Sequence, residues 1–146
     1  MNNENEKNTY QFKIIALGDP EVGKSSIFRR FVNDSFDPNQ LSTLGANFYS
    51  KVIKINHKNL LLKLFCTGGQ EKYRYIASSY FRNIDAVLFV FDLNNENSFY
   101  SIQYWLDYFE ETNGGIKIKN KYLIGNKNDL EQKVDQNLID ELVKKK

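Results

Sequence analysis

The chain has 146 residues, and its 20 basic and 18 acidic residues give a formal net charge of +2. This near balance argues against a nucleic-acid-binding surface. The content of 41% hydrophobic residues is enough for one buried core and predicts a single domain. A single cysteine excludes an internal disulfide and a cysteine-based metal site, which fits a reducing, cytoplasmic location. No run approaches the roughly 18 apolar residues of a membrane helix, so we expect no transmembrane segment.

The N-terminal residues differ in composition from the rest. Residues 1–9 have no apolar side chain after Met1, and such a segment cannot bury surface. We therefore predict a disordered leader over residues 1–9 and one domain over residues 10–146. Within that domain, apolar runs that predict strands alternate with helical patterns, which is typical of an α/β fold. The predicted strands are residues 12–17, 48–55, 60–65, 86–91 and 122–124, and the first predicted helix is residues 25–32.

A short phosphate-binding motif follows the first predicted strand. Residues 18–25 read Gly-Asp-Pro-Glu-Val-Gly-Lys-Ser and match the phosphate-loop pattern GxxxxGK(S/T). Backbone N–H groups of such a loop point into a concavity that holds phosphate oxygens. Gly23 allows close approach of the backbone, Lys24 supplies an ammonium group, and Ser25 supplies a hydroxyl for Mg²⁺. The predicted nucleotide-binding residues here are Asp19, Pro20, Glu21, Val22, Gly23, Lys24, Ser25 and Ser26.

Two residues of this loop are unusual. Pro20 removes one N–H group from the cradle, and Glu21 adds a carboxylate beside an anion site. Both residues weaken the cradle unless their side chains point outward.

The second and third predicted strands are separated by a few polar residues. Residues 55–59 read Ile-Asn-His-Lys-Asn, which predicts a hairpin and therefore one antiparallel strand in a mostly parallel sheet. His57 lies in that turn, where a lone polar residue is more often solvated than catalytic.

A helix is predicted between residues 96 and 111. Its apolar residues recur at helical spacing, which indicates a stripe that faces the core. The stripe consists of Phe99, Ile102, Leu106 and Phe109, with Trp105 beside it.

A second motif selects the base. Residues 126–129 read Asn-Lys-Asn-Asp directly after the strand at residues 122–124, and open α/β sheets bind ligands at that end of a strand. The Asp129 carboxylate can accept hydrogen bonds from guanine N1–H and its exocyclic amine, whereas adenine offers neither donor at those positions. Asn126 is placed to brace the loops, and the alkyl stem of Lys127 to lie over the base.

With these two motifs, the chain resembles the Ras-like small GTPases and is most similar to the Rab family over residues 10–143. Phe36 matches the aromatic residue that stacks on guanine, and Thr43 matches the first-switch threonine that completes Mg²⁺ coordination. In the second switch, Gly69 matches the γ-phosphate sensor and Gln70 the catalytic glutamine that orients water. Other matching stretches are residues 44–48, 61–65, 72–77, 80–83 and 98–99.

The resemblance implies a fold and a function. The fold is a P-loop NTPase small G domain with a mostly parallel sheet, one antiparallel strand and helices on both faces. The implied function is binding of GTP or GDP with Mg²⁺ held by Ser25 and Thr43, and GTP hydrolysis as a switch in vesicle trafficking. The implied partners are effectors, exchange factors and GTPase-activating proteins, which read an aromatic triad of Phe48, Phe65 and Tyr80.

The chain departs from the family pattern in two places. Cys66 stands where the family has the Mg²⁺-supporting aspartate, and a thiol is a poor ligand for a hard cation. Gly68 stands in place of an alanine and adds backbone freedom. We also expect a C-terminally incomplete domain, truncated after about five strands, that lacks the last strand, the last helix and a prenylated tail, with no lipidation site. These departures predict slow, impaired hydrolysis and keep open the alternative of a pseudo-GTPase or effector-binding module.

Overall fold

The computed structural model describes residues 9–69 and 79–145, where the chain forms five strands and three helices. Gln70 and the Rab-like stretch at residues 72–77 lie outside the described residues. The elements, in chain order, are β1 (Thr9–Leu17), α1 (Lys24–Asn33), β2 (Ala46–Ile55), β3 (Lys58–Thr67), β4 (Ala86–Asp92), α2 (Glu96–Thr112), β5 (Lys121–Asn126) and α3 (Gln136–Lys145). β1 begins at Thr9, one residue inside the segment that the sequence assigns to the leader.

The strands form one mixed sheet in the order β2-β3-β1-β4-β5. β2 pairs antiparallel with β3, and every other pairing is parallel, as predicted. The β2–β3 turn is tight because Asn56 and His57 both adopt positive φ angles, of 47° and 63°. Two successive left-handed residues fit the twist of a hairpin. His57 is exposed there, as expected for a turn residue.

Helices cover both faces of the sheet, which confirms the predicted architecture. Alternation along β1 separates the two faces: Ile15 and Leu17 belong to one apolar cluster, while Ala16 belongs to the other. The first cluster takes its helical residues from α2, whose predicted stripe is buried, and α3 packs against it through Ile139. The second cluster contains Phe28 of α1.

The parallel strands all end at one edge of the sheet. β1 lies between β3 and β4, so the chain that leaves β1 at Leu17 has the end of β3 on one side and the end of β4 on the other. Loops at such a reversal of strand order form the ligand-binding crevice of open α/β sheets. The phosphate loop, Cys66, Asp92 and Asn126 are all brought to this edge.

Candidate nucleotide-binding site

The end of the phosphate loop is packed against Asn126, the first residue of the Asn-Lys-Asn-Asp motif. Gly23 precedes α1 with a φ of 101°, and a Cβ atom there would lie 2.1 Å from Nδ2 of Asn126. That amide nitrogen donates a hydrogen bond of 2.8 Å to the backbone oxygen of Val22. Only glycine has both the backbone freedom and the absent side chain that this contact requires. Asn126 therefore joins the two loops, in the role that the sequence suggested for it.

Lys24 is buried at the start of α1, with 5% of its surface exposed. Its Nζ atom donates hydrogen bonds to the backbone oxygens of Gly18, at 2.8 Å, and Asp19, at 2.6 Å. Burial lowers the pKa of Lys24 from 10.5 to about 8, and the neighbouring Cys66 and Asp19 oppose part of that effect. A bound phosphate would favour the charged ammonium, because an opposite charge offsets the loss of water.

The side chains of Ser25, Thr43 and Cys66 meet beside this lysine. Ser25 Oγ lies 2.7 Å from Thr43 Oγ1 and 3.0 Å from Cys66 Sγ. Cys66 is fully buried, and this burial raises the pKa of its thiol above the ordinary value. The structure thus brings together two hydroxyls from segments 18 residues apart and a thiol from the end of β3.

These donors fit a magnesium site only in part. Two adjacent hydroxyl oxygens are hard donors of the kind that Mg²⁺ accepts, so Ser25 and Thr43 are suited to hold the ion. When bound, Mg²⁺ would neutralise charge on the phosphate oxygens. The Cys66 thiol does not suit a hard cation, because sulfur favours softer metals. Among the described residues no cluster of three or more His, Cys, Asp or Glu side chains offers another metal site.

Gly69 lies directly against the phosphate loop. A Cβ atom at Gly69 would come within 2.6 Å of the backbone of Gly18, Asp19 and Pro20, and its φ of 69° is left-handed. The preceding residue, Gly68, donates its N–H to the backbone oxygen of Gly45 at 2.8 Å. The segment after β3 is therefore in contact with both the phosphate loop and the residue that precedes β2.

The remaining loop residues make contacts that the sequence did not indicate. Asp19 Oδ1 accepts a hydrogen bond from Trp105 Nε1 at 2.9 Å. Glu21 Oε1 accepts one from Ser42 Oγ at 2.8 Å. Pro20 is exposed, and Ser26 Oγ lies 3.4 Å from Gln40 Oε1. Neither unusual side chain of the loop, at positions 20 and 21, is buried within the cradle.

The residues that the sequence predicts to contact the base include the loop at the end of β5. Lys127 has a left-handed φ of 64°, and its Nζ forms an ion pair of 2.8 Å with Asp92 Oδ2 at the end of β4. Asp129 is exposed, and Phe36 has 61% of its surface exposed in the loop after α1. Protein side chains therefore leave the proposed base-contacting groups accessible. Asp92 was missed by the sequence reasoning because nothing in its local pattern distinguishes it from any strand-end aspartate.

The three aromatic residues that the resemblance assigns to partner recognition lie in a row, with neighbouring rings tilted against each other. The ring centroids of Phe48 and Phe65 are 4.9 Å apart, and those of Phe65 and Tyr80 are 5.1 Å apart. Phe48 is 55% exposed. The rings therefore form a continuous apolar surface on β2, β3 and the segment before β4.

Comparison with known proteins gives the family of the chain. A model of the Ras family matches residues 13–146, nearly the whole chain. The chain belongs to the Ras family. This Ras-family chain is also Rab-like: it is 37% identical over 128 residues to the Ras-related protein Rab-1D of Dictyostelium discoideum, an alignment that covers 86% of this chain and 62% of Rab-1D. It is 36% identical over 121 residues to Rab-1A of the same organism, covering 83% of this chain and 59% of Rab-1A.

The Ras-family chain therefore spans about three fifths of the length of these relatives. Among the residues that the structure describes, no helix combines the length and the apolar character that crossing a membrane requires.

Proposed function

We propose that this chain binds GTP and GDP together with Mg²⁺ and hydrolyses GTP slowly as a molecular switch. The observation that carries the proposal is the convergence of Lys24, Ser25 and Thr43 at the end of β1. It supplies a buried ammonium group and two hydroxyls 2.7 Å apart beside a loop whose pattern is that of a phosphate cradle. Phosphate oxygens and a hard cation are the ligands that such a donor set favours.

Selection of guanine is proposed for the loop after β5. Asp129 is exposed beside Lys127, whose ion pair with Asp92 holds the backbone of this loop near the end of β4. An accessible carboxylate can accept the two donors of guanine, and adenine would leave it without partners. Phe36 is proposed to stack on the base, and Gly69 and Gln70 to act on the γ-phosphate and on the attacking water, as in the family.

We also propose a role in vesicle trafficking, which the likeness to Rab proteins supports. On that basis the aromatic row of Phe48, Phe65 and Tyr80 is proposed to bind effectors, and the switch segments to bind exchange factors and GTPase-activating proteins.

The test of nucleotide binding is the nucleotide content and selectivity of the purified chain. The protein would be purified in Mg²⁺ and its released nucleotide identified by chromatography, followed by titration with fluorescent GDP and ADP. Asp129→Ala is expected to reduce the preference for GDP over ADP by on the order of a hundredfold. Asp140→Ala, an exposed aspartate on α3, is the matched control. If the native chain neither retains nor binds a guanine nucleotide, the proposal is wrong.

One observation favours a second function. Cys66 Sγ lies 3.0 Å from Ser25 Oγ, so a thiol stands at the hydroxyl proposed for Mg²⁺. A chain with this arrangement would bind nucleotide or an effector but turn over little GTP. Single-turnover hydrolysis at varied Mg²⁺, compared between the native chain and Cys66→Asp, separates the two functions. Hydrolysis in the native chain at the rate and Mg²⁺ dependence of Cys66→Asp would show that Cys66 does not impair turnover, and the observation would no longer favour the second function.

A further inference from the structure

One acidic residue of the phosphate loop, Glu21, has an uncommon backbone conformation. Its φ angle is 63°, a left-handed value that residues other than glycine adopt rarely. Its carboxylate oxygen Oε1 accepts a hydrogen bond of 2.8 Å from Ser42 Oγ. The carboxylate is therefore engaged by a residue 21 positions further along the chain rather than by its own loop.

The partner of Glu21 belongs to the segment that carries Thr43. Three contacts join residues 40–43 to the phosphate loop and the first turn of α1. Besides the Glu21–Ser42 hydrogen bond, Thr43 Oγ1 lies 2.7 Å from Ser25 Oγ, and Gln40 Oε1 lies 3.4 Å from Ser26 Oγ. Among the three, the Glu21–Ser42 contact is the one with a charged acceptor, and hydrogen bonds to charged groups are the stronger kind.

Little apolar packing holds this segment in place. Leu41 is 88% exposed and Leu44 is 74% exposed, and Ser42 is also exposed. Residues 40–45 contain no helix or strand. A segment with few buried contacts opens at low free-energy cost, so a single polar contact can change its open fraction measurably.

We propose that Glu21 is a positioning residue, and that its hydrogen bond to Ser42 is a clasp that closes residues 40–43 over the phosphate loop and slows nucleotide release. The clasp is built from the chain's own side chains, so it does not depend on a γ-phosphate. It therefore slows the release of GDP and GTP alike. The effect on release rests on the nucleotide binding proposed above, whereas the closure of residues 40–43 does not.

The closure is tested by amide hydrogen exchange of peptides that contain residues 40–45, with and without GDP. Glu21→Ala and Ser42→Ala are each expected to speed exchange there by about two- to tenfold, the range of one hydrogen bond. Because both substitutions break the same contact, the double variant is expected to exchange no faster than either single variant. Ser42→Thr retains the hydroxyl and is expected to restore the native rate. Glu141→Ala on α3 and Ser50→Ala on β2 are exposed controls.

Release of fluorescent GDP and GTP from the same variants gives the second readout. Both nucleotides are expected to leave about two- to tenfold faster from Glu21→Ala and Ser42→Ala, by the same factor for each nucleotide. Unchanged exchange in both single variants, or additive effects in the double variant, would overturn the clasp. Faster exchange with unchanged release would overturn its role in retention. Absence of nucleotide binding in the native chain contradicts the proposed function, and the exchange experiment still decides the closure.

Discussion

The indole N–H of Trp105 donates a hydrogen bond of 2.9 Å to the Asp19 carboxylate, which ties α2 to the start of the phosphate loop. Trp105 is the single tryptophan of the chain, and only 3% of its surface is exposed. The backbone oxygen of Asp19 also accepts a hydrogen bond from Lys24 Nζ. Through these two bonds, a core residue of α2 positions the lysine proposed to bind phosphate.

The first prediction concerns this hydrogen bond. Asp19→Ala leaves the buried indole N–H without its acceptor, which is expected to lower the free energy of unfolding by about 1–3 kcal/mol. Asp19→Asn keeps an acceptor and is expected to cost less. Urea unfolding followed by circular dichroism measures both. In a Trp105→Phe background, Asp19→Ala is expected to cost less than in the native chain; an equal cost in both would show that the bond contributes nothing.

The second prediction concerns the contact between Gly23 and Asn126. Gly23→Ala introduces a Cβ atom 2.1 Å from Asn126 Nδ2 at a φ of 101°, and both strain and clash are expected to lower the melting temperature. Gly114→Ala is the matched control, because Gly114 has a φ of 73° but no atom within 4 Å of an added Cβ. Strain alone costs about 1–3 kcal/mol, so Gly23→Ala is expected to be the more damaging. An equal fall in melting temperature in the two variants would contradict the close packing of Gly23 against Asn126.

The third prediction concerns Cys66. The Cys66 thiol is fully buried, and its sulfur lies 3.0 Å from the Ser25 hydroxyl. Cys66→Asp places a carboxylate at this buried position. Without metal and nucleotide, the buried charge is expected to lower the free energy of unfolding by about 1–3 kcal/mol. Saturating Mg²⁺ and GDP are expected to stabilise Cys66→Asp more than the native chain, because a carboxylate suits the hard cation. Thermal melts with EDTA and with Mg²⁺–GDP measure the difference, and Cys66→Ser is the uncharged control. Equal stabilisation of all three proteins would contradict a role for this position in the metal site.

The fourth prediction concerns pH and the chain free of metal and nucleotide. Lys24 has a folded pKa of about 8 against an ordinary 10.5, so above pH 8 the unfolded state binds more protons than the folded state. The free energy of unfolding therefore rises with pH, by up to about 1.4 kcal/mol per pH unit. As the pH approaches and passes 9.0, the raised pKa of Cys66 acts in the opposite direction, because the unfolded thiol ionises near 9.0 while the folded thiol keeps its proton.

Urea unfolding between pH 8 and 9, compared between the native chain and Lys24→Met, separates the effect of the lysine from that of Cys66. Native protein is expected to become more stable over this interval, and Lys24→Met is expected to lose the rise. A rise of the same size in Lys24→Met would assign the effect to other groups.

The fold could be predicted from local patterns. The apolar runs located all five strands to within a few residues, and the polar turn at residues 55–59 predicted the antiparallel hairpin. Helix α2 could be predicted equally well, because burial of one face imposes a 3.6-residue period of apolar residues on the sequence. The predicted ends of the strands were less accurate. β3 extends to Thr67 and β5 runs from Lys121 to Asn126, because main-chain pairing continues past the last apolar residue.

The contacts across the site could not be predicted. The sequence places Trp105 beside the predicted core stripe, and its ring is indeed buried, but its N–H donates a hydrogen bond to a residue 86 positions earlier in the chain. Likewise the Glu21 carboxylate read as a charge beside an anion site, whereas it accepts a hydrogen bond from Ser42. Hydrogen bonds between distant segments leave no periodic signal, because each needs only one donor and one acceptor brought together by the fold.

The sequence by itself determined the order of the elements, the phosphate loop at residues 18–25 and the Asn-Lys-Asn-Asp motif at residues 126–129, since these depend on local periodicity and on spacing within a single turn. Only the tertiary structure decided that Thr43 and Cys66 lie within 3.0 Å of the Ser25 hydroxyl. It also decided that the Asn126 side chain donates a hydrogen bond to the backbone oxygen of Val22. The physical reason is the strand order: β1 lies between β3 and β4, so the ends of strands far apart in the chain share one edge of the sheet.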